Sequence, residues 1–450
     1  MSDRGSWATT EAVWGYTMKK LARTTFEISR ELEFFSEKEL QMQIGHGREL
    51  WPIALLKELI DNSLDACEMA DVSAEVEVEI GDHSFGVRDN GPGLAEETLT
   101  RSLDYLIRVS DKTFYVSPTR GQLGNALKAV WAAPFVAHGD RGCVEVWSRG
   151  LHHTVEVSVD RVTQRPVVKH GIEEDGFVKI GAFVKIHWPD LACSQKQYYG
   201  YGADQKHDFP TMARDLVEGY AAFNPHATFR LGEMTFEATI SSWKKWKPGD
   251  PTSPHWYTPE TLRDLIAAYI SQERNGRRPR TVREFVSEFR GLSGTAKQKK
   301  VTGNLTGTYL HDLVTNGDVD IDRLGELLEA MKAISLAPKP IALGIIGEDH
   351  LTKWMIRYAD VAEKSIRYSR RLGVNGLPHV LEMAFGVRNG GERRIVSGLN
   401  WAPTLVLPTE ELGRLLGQWR IDKHDPVTVI VHIARPRFEF VDRGKTRLEL

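Results

Sequence analysis

Glu58, Asp61, Asn62 and Asp65 fall within one stretch, LLKELIDNSLDACE, at residues 55–68. Residues three and four apart meet on one face of a helix, so the spacing predicts a polar ridge there. Leu55, Leu56, Leu59, Ile60 and Leu64 form an apolar stripe at the same period, which predicts a core-facing side. Like charges at this spacing repel by about 0.2–0.5 kcal/mol per pair. A solvated outer face is one account of the ridge. The other is a hard cation that cancels the repulsion. Magnesium suits such a set, because it takes oxygen ligands and shares its shell with substrate phosphates.

Two further stretches could do related chemistry. In DNGPG, residues 89–93, Asp89 ends a predicted strand, and Gly91 and Gly93 flank a proline. The stretch predicts a turn, with glycines that let a planar ligand approach the backbone. In TRGQLGNALKAVW, residues 119–131, Gly121 and Gly124 run into a good helix. A glycine-rich turn opening a helix points free N–H groups and the positive helix end at an anion, and Lys128 one turn later adds a charge. The spacing is neither a Walker A loop nor a Rossmann fingerprint.

These residues need elements to position them. Val76, Val78 and Ile80 alternate with Glu75, Glu77 and Glu79, predicting a half-buried strand, and HSFGVRD predicts its partner after a Gly-Asp turn. His152 and His153 in LHHTVEVSV predict strand positions and not a metal site. The 450 residues are too many for one ordinary core. No apolar run is long enough to span a membrane, and the first twenty residues lack a signal-peptide core. Cys67, Cys143 and Cys193 form no CxxC pair, which argues for a reducing compartment and against disulfide or zinc scaffolding. With a net charge of −3, nucleic acid would have to be met by a local basic patch. QERNGRRPRTVR supplies Arg274, Arg277, Arg278, Arg280 and Arg283, and TAKQKK supplies Lys297, Lys299 and Lys300. Either run is a solvated loop or a phosphate-contacting surface. In NGDVDIDRL, Asp320 or Asp322 is expected to cap the helix that follows, since the glycine of a calcium loop is missing. From about residue 335 the pattern turns to strand, helix and strand. Thr409 is the expected cap of a helix over LPTEELGRLLGQWR.

E-x-x-x-N, then D-x-G-x-G, then G-x-x-G before a helix, in that order, resembles the Bergerat-fold (GHKL) ATPases. The resemblance implies ATP and Mg2+ as cofactors. It implies Glu58 as the group that orients and deprotonates the attacking water, and Asn62 as the magnesium ligand. It implies Asp89 as the partner of the adenine amino group. The nucleotide contacts it implies are Asn62, Asp65, Asp89, Gly91, Gly93, Ser110, Lys112, Arg120, Gly121, Gln122, Leu123, Gly124, Asn125 and Lys128. Two positions depart from the pattern: Ala126 replaces a lid glycine, and Ala182 follows Gly181 where a threonine is usual. Binding is expected to survive these changes, with slowed turnover.

Within that superfamily, TTFEISRELEFFSEKELQMQIGHG, TRGQLGNALKAV, AFNPHATFRL and HWYTPETLRDLIAAYI resemble the B subunit of DNA topoisomerase VI. So do ALGIIGEDHLTKWM, the glycine-rich stretch to NWAP, and VTVIVHIARPRFEFVDRGKTRLEL. The fold implied is α+β. It comprises an N-terminal arm and GHKL ATPase sandwich (1–240), a small helix-two-turns-helix domain (241–334) and a ribosomal-S5-like transducer (335–450). Lys445 matches the lysine that the transducer sends to the terminal phosphate. The function implied is the ATPase subunit of a type IIB topoisomerase-like complex, a dimeric ATP-gated clamp on duplex DNA, with a topoisomerase VI A-like cleavage subunit as partner. The implied location is the cytoplasm, at the nucleoid. An N-terminal segment with Trp7 and Trp14 is expected to exchange between protomers. The family continues beyond the position of Leu450 into a helix that contacts the cleavage subunit. A stand-alone clamp or defence-type ATPase without cleavage, or an ATP-binding scaffold, is the alternative.

Overall fold

A computed structural model describes residues 35–103, 114–120, 126–139, 141–160, 162, 165–191, 196–197, 206–274, 276–303, 305, 307–315, 318–406, 414, 416–418 and 420–440. In chain order the elements are α1 (Glu37–Ile44), α2 (Trp51–Met69), β1 (Glu75–Gly81), β2 (Ser84–Asp89), α3 (Glu96–Ser102), α4 (Ala126–His138), β3 (Gly142–Ser148) and β4 (Leu151–Asp160). They continue with β5 (Arg165–Glu174), β6 (Ala182–His187), β7 (Lys196–Gln197), β8 (Lys206–His207), α5 (Phe209–Phe223), β9 (Thr228–Leu231) and β10 (Met234–Phe236). Four helices follow: α6 (Pro259–Arg274), α7 (Val282–Ser287), α8 (Thr295–Val301) and, after the short β11 (Val314–Thr315) and β12 (Asp318–Val319), α9 (Ile321–Ile334). The last part holds α10 (Glu348–Tyr358), β13 (Arg367–Asn375), β14 (Leu377–Val387), β15 (Arg394–Leu399), β16 (Ala402–Pro403) and β17 (Val427–Ala434).

The architecture is α+β. Eight strands form one sheet in the order β10-β9-β1-β2-β6-β3-β4-β5, antiparallel except where β1 runs parallel to β9. Alternation does the sorting. Val76 and Val78 of β1, Phe85 and Val87 of β2, and Val144 and Val146 of β3 are buried under α2, α4 and α5. Leu55, Leu56, Leu59, Ile60 and Leu64 of α2 meet them, as the apolar stripe predicts. Each such side chain contributes about 1.5–3 kcal/mol. Arg88 lies on the other face, 3.3 Å from Glu79 and 3.8 Å from Glu77.

In the middle part, Leu262, Leu265 and Ile266 of α6 are buried where that helix packs on α9, whose Leu324, Leu327 and Leu328 are buried too. Asp320 caps α9, accepting from the backbone N–H groups of Asp322 and Arg323. In the last part, a helix precedes the strands, unlike the strand-first pattern expected from about residue 335. That helix, α10, docks against α5, and its Trp354 Nε1 donates to Glu218 O at 2.9 Å. The sheet beyond it runs β13-β14-β17-β15-β16, with β15 parallel to β17. The predicted cap Thr409 lies outside the described residues. Among the described residues, no helix is long and apolar enough to cross a membrane.

Candidate nucleotide site

The polar ridge of α2 divides in two. Glu58 and Asn62 are half-buried, whereas Asp61 and Asp65 are 1 % and 3 % exposed. Asp61 accepts from Lys57 Nζ at 2.7 Å and from Tyr220 OH at 2.6 Å. Burial pulls the Lys57 pKa down, but Asp61 and Glu58 outweigh it and leave it raised. Burial and then Asp61 raise Tyr220 well above its ordinary value, so its hydroxyl stays a donor. Asp65 accepts from Arg120 Nη1 at 2.9 Å. Internal cations therefore relieve the repulsion at these two acids.

Asp65 and Arg120 are placed together. Both were expected among the nucleotide contacts, yet they are buried against each other. Arg120 also donates to Glu68 Oε1 at 2.8 Å and to Asn224 Oδ1. Its guanidinium supplies the rigid fork that two carboxylates on one helix face require. Nothing in the spacing of two residues 55 apart announces such a pair.

Asp89 ends β2 beneath α2. Its Oδ1 accepts from Gly91 N–H at 2.8 Å and its Oδ2 from Ser63 Oγ at 3.0 Å. Burial raises its pKa; the bonds from Gly91, Ser63 and the Ala182 backbone oppose that rise. A carboxylate has about four acceptor sites, so this one keeps capacity for an outside N–H donor. The glycines around it are demanded by the protein itself. A Cβ on Gly181, at φ 81°, would sit 1.8 Å from Asp89 O, and one on Gly93, at φ 75°, 2.6 Å from Ser148 Oγ. Gly93, expected to let a ligand approach, is thus also required by close packing of two chain segments. Ala182 brings no hydroxyl, but its backbone amide reaches Asp89. Cys67, beside Asp89, is pushed up to about 12 by burial and by that carboxylate, which makes it an inert thiol.

Gly91 is placed beside Asp89, and Lys128 is buried one turn into α4. Ser110, Lys112, Gly121, Gln122, Leu123, Gly124, Asn125 and Lys445 lie outside the described residues, as do Trp7 and Trp14. Among the described residues, no three His, Cys, Asp or Glu side chains are placed to hold a metal. Asn62, half-buried on α2, offers an amide oxygen that would suit a magnesium ion carried in by a nucleotide.

A buried polar cluster that sequence reasoning missed joins this site to the last part of the chain. Glu68 accepts from Arg120 and meets His226 Nε2 at 3.1 Å and Lys245 Nζ at 2.6 Å. Burial alone would raise the Glu68 pKa, but Arg120 and Lys245 hold it well below the usual range. Asn224 donates to Trp401 O at 2.8 Å. Trp401 itself has φ 66°, next to Asn400 at φ 47°, in the two-residue turn between β15 and β16. An aromatic residue in the left-handed region costs about 1–2 kcal/mol. The bonds from Asn224 and from Trp401 N–H to His432 Nε2, 3.0 Å, hold it there. Asn224 and His226 belong to NPHA, the one signal in the sequence that pointed here.

No family model matches the chain. Curated relatives do match, each described as the B subunit of a type 2 DNA topoisomerase 6. This chain is similar to that protein. The Saccharolobus solfataricus relative is 24 % identical over 94 % of this chain and 80 % of its own length. The Methanococcoides burtonii relative is 28 % identical over 80 % of this chain and 55 % of its own, and the Archaeoglobus fulgidus relative 24 % over 76 % and 54 %. The chain thus spans about half the length of several of the curated relatives it matches. The ATPase region of Saccharomyces cerevisiae topoisomerase II corresponds to 88 % of this chain at 9 % identity, with a TM-score of 0.37, too loose a likeness to carry residues across.

The basic runs expected from the sequence lie at and after the end of α6 and on α7 and α8. Arg274, Arg277, Arg278, Arg283, Lys299 and Lys300 are exposed. Arg278 pairs with Glu284 at 2.7 Å. Arg280 differs from its neighbours. It is half-buried, 2.6 Å from Glu288 Oε1, and lies over the Tyr269 ring. His152 and His153 are on β4, and His153 Nδ1 meets His170 Nε2 at 3.0 Å.

Proposed function

We propose that the chain is the ATP-binding and hydrolysing subunit of a type IIB topoisomerase-like assembly, closing as an ATP-gated dimer on duplex DNA. One observation carries the reading. Of the four polar residues along α2, the two with the chemistry for water and magnesium, Glu58 and Asn62, are half-buried, whereas Asp61 and Asp65 are buried. Similarity to topoisomerase VI B subunits supports the same reading.

In this proposal Glu58 takes the proton of the attacking water. Asn62 would hold magnesium on the phosphates, where the ion would supply charge neutralisation. Asp89 accepts a hydrogen bond from the adenine amino group with its remaining acceptor site. The glycine-rich turn with Gly121 and Gly124 wraps the phosphates, and Lys445 reaches the terminal one. The modules divide near residues 240 and 334. The exposed arginines and lysines of the helical module meet DNA phosphates, and a cleavage subunit is the partner. The working place is the nucleoid.

The test joins size and turnover. Light scattering without nucleotide, with a non-hydrolysable ATP analogue and with ATP is run beside phosphate release with and without duplex DNA. A monomer that dimerises on the analogue, with turnover abolished in Glu58→Ala, is expected. No dimer and no Glu58-dependent hydrolysis would overturn the proposal in favour of a scaffold.

A further inference from the structure

Residues 115–120 form a strap between the helical module and α2. At its start, the Tyr115 and Tyr269 hydroxyls touch, and both donate to Glu288 Oε2, at 3.1 and 2.8 Å. Val116 is held on both sides: its N–H donates to Tyr257 OH at 2.9 Å, and its carbonyl accepts from Thr252 Oγ1 at 2.6 Å. At its end, Arg120 is locked to Asp65 and Glu68 of α2. Between these anchors, Pro118 fixes one torsion, and Thr119 N–H bonds Ser117 O at 2.9 Å around it. Val116, Ser117, Thr119 and Arg120 are all buried, so the strap has little slack.

The other oxygen of Glu288 faces the basic loop. Arg280 Nη1 is 2.6 Å from Glu288 Oε1, and the Arg280 backbone N–H donates to Glu273 Oε1 at 2.7 Å. One carboxylate therefore holds the end of the basic loop with one oxygen and the start of the strap with the other. A polyanion drawing on Arg277, Arg278 and Arg283 pulls on the segment that Arg280 anchors. Any shift of Glu288 moves both tyrosine hydroxyls.

We propose that Glu288 and Tyr115 are positioning residues that couple duplex DNA on the basic loop to α2, the helix bearing Glu58 and Asn62. The proposal rests on reading the chain as a DNA-dependent ATPase. A connected set of contacts is not itself coupling, so the test measures coupling directly. Phosphate release by the full chain is measured with and without duplex DNA for the native protein, Tyr115→Phe, Glu288→Gln and the double variant. DNA affinity and melting temperature are measured alongside. The expected result is that the ratio of DNA-stimulated to basal turnover falls toward one in each variant. The double variant should be no worse than either single one, with basal turnover unchanged in all three and DNA affinity and melting temperature unchanged in Tyr115→Phe; Glu288→Gln, which also releases Arg280, is judged on the stimulation ratio alone. Full stimulation in either single variant, or additive losses, overturns the coupling. If the native chain hydrolyses no ATP, the ATPase reading fails, and amide exchange over residues 115–120 decides the coupling. A DNA-induced change that Tyr115→Phe erases sustains it; the same change in both proteins, or none in either, overturns it.

Discussion

The ammonium of Lys245 lies 3.7 Å from the centre of the Trp401 ring, and both residues are buried. Lys245 follows the first sheet in sequence, and Trp401 belongs to the last. Their contact closes the chain onto itself over the face of Glu68. Desolvated cation–π pairs of this kind contribute about 2 kcal/mol. Burial, with Arg120 second, lowers the Lys245 pKa to about 8. This group's contribution to stability should therefore rise as pH passes from about 8 toward 10.5, where the unfolded chain still holds a proton that the folded one has released. Urea midpoints of the native chain and Lys245→Met across that range check it, and equal slopes for the two proteins would refute it.

Arg120→Met strands Asp65 and Glu68 without their shared cation. Removing one partner from a buried ion cluster costs about 3–5 kcal/mol. The loss should appear as a large drop in the denaturant midpoint. Arg120→Lys should recover only part of it, because an ammonium cannot serve two carboxylates and Asn224 through a planar fork. Full recovery by lysine would show that charge alone is needed.

Gly181 and Gly150 share nearly the same backbone angle, φ 81° and φ 79°, but differ in what a side chain would meet. A Cβ on Gly150 meets nothing within 4 Å, whereas one on Gly181 strikes Asp89 O at 1.8 Å. Gly150→Ala should cost about 1–2 kcal/mol of conformational strain alone. Gly181→Ala should cost clearly more and should also weaken nucleotide binding, because it displaces Asp89. Melting temperatures and titration with a fluorescent ATP analogue separate the two effects.

His350 should make the protein acid-sensitive. Burial lowers its pKa to about 4, where Nε2 faces the Ala221 and Ala222 carbonyls and Nδ1 faces Thr239 Oγ1 at 2.6 Å. The folded chain refuses a proton that the unfolded chain accepts below pH 6.5, so stability is lost as pH falls from 6.5 toward 4. The advantage of the native protein over His350→Asn should narrow over that range. A constant difference in unfolding free energy would count against it.

Salt should distinguish the arginines of the helical module. Arg277→Ala and Lys299→Ala should each reduce the slope of log affinity against log salt by about 1 for duplex DNA. Arg280→Ala should leave that slope unchanged, because Glu288 already neutralises its guanidinium. Anisotropy titrations over a salt series measure all three.

Local pattern made much of this legible. The period of Leu55, Leu59 and Ile60 named the core side of α2, and alternation placed Val76 and Val78 under it. Asp320 declared itself a cap by preceding a helical run. What stayed hidden was pairing across distance. The same periodicity that gathered Glu58, Asp61, Asn62 and Asp65 on one ridge could not say which would be buried. That depended on Tyr220 and Arg120, contributed from distant parts of the chain, as well as on Lys57 one turn before Asp61. Lys245 carried no signal at all, because a lysine between tryptophans reads as linker until Glu68 is beside it. Gly181 entered only as the neighbour of Ala182, and nothing in the sequence announced that it and Gly93 each lie against a crossing segment with no room for a side chain.

The parallel pairing of β1 with β9, Val76 beside Phe229, also bears on how the chain acquires its structure. The strands that carry Asp89 are synthesised early, but their neighbour on one edge emerges only after β3 to β6 and α5. Until then β1 presents an unpaired edge, the kind that invites wrong partners. Long-range pairing of this type slows folding, since a large loop must close before the contacts repay it. The β1–β2 hairpin can form at once, but the sheet beneath α2 is completed only when β9 and then β10 arrive. Ribosome-released fragments ending before Phe229 should therefore bind nucleotide poorly and aggregate readily.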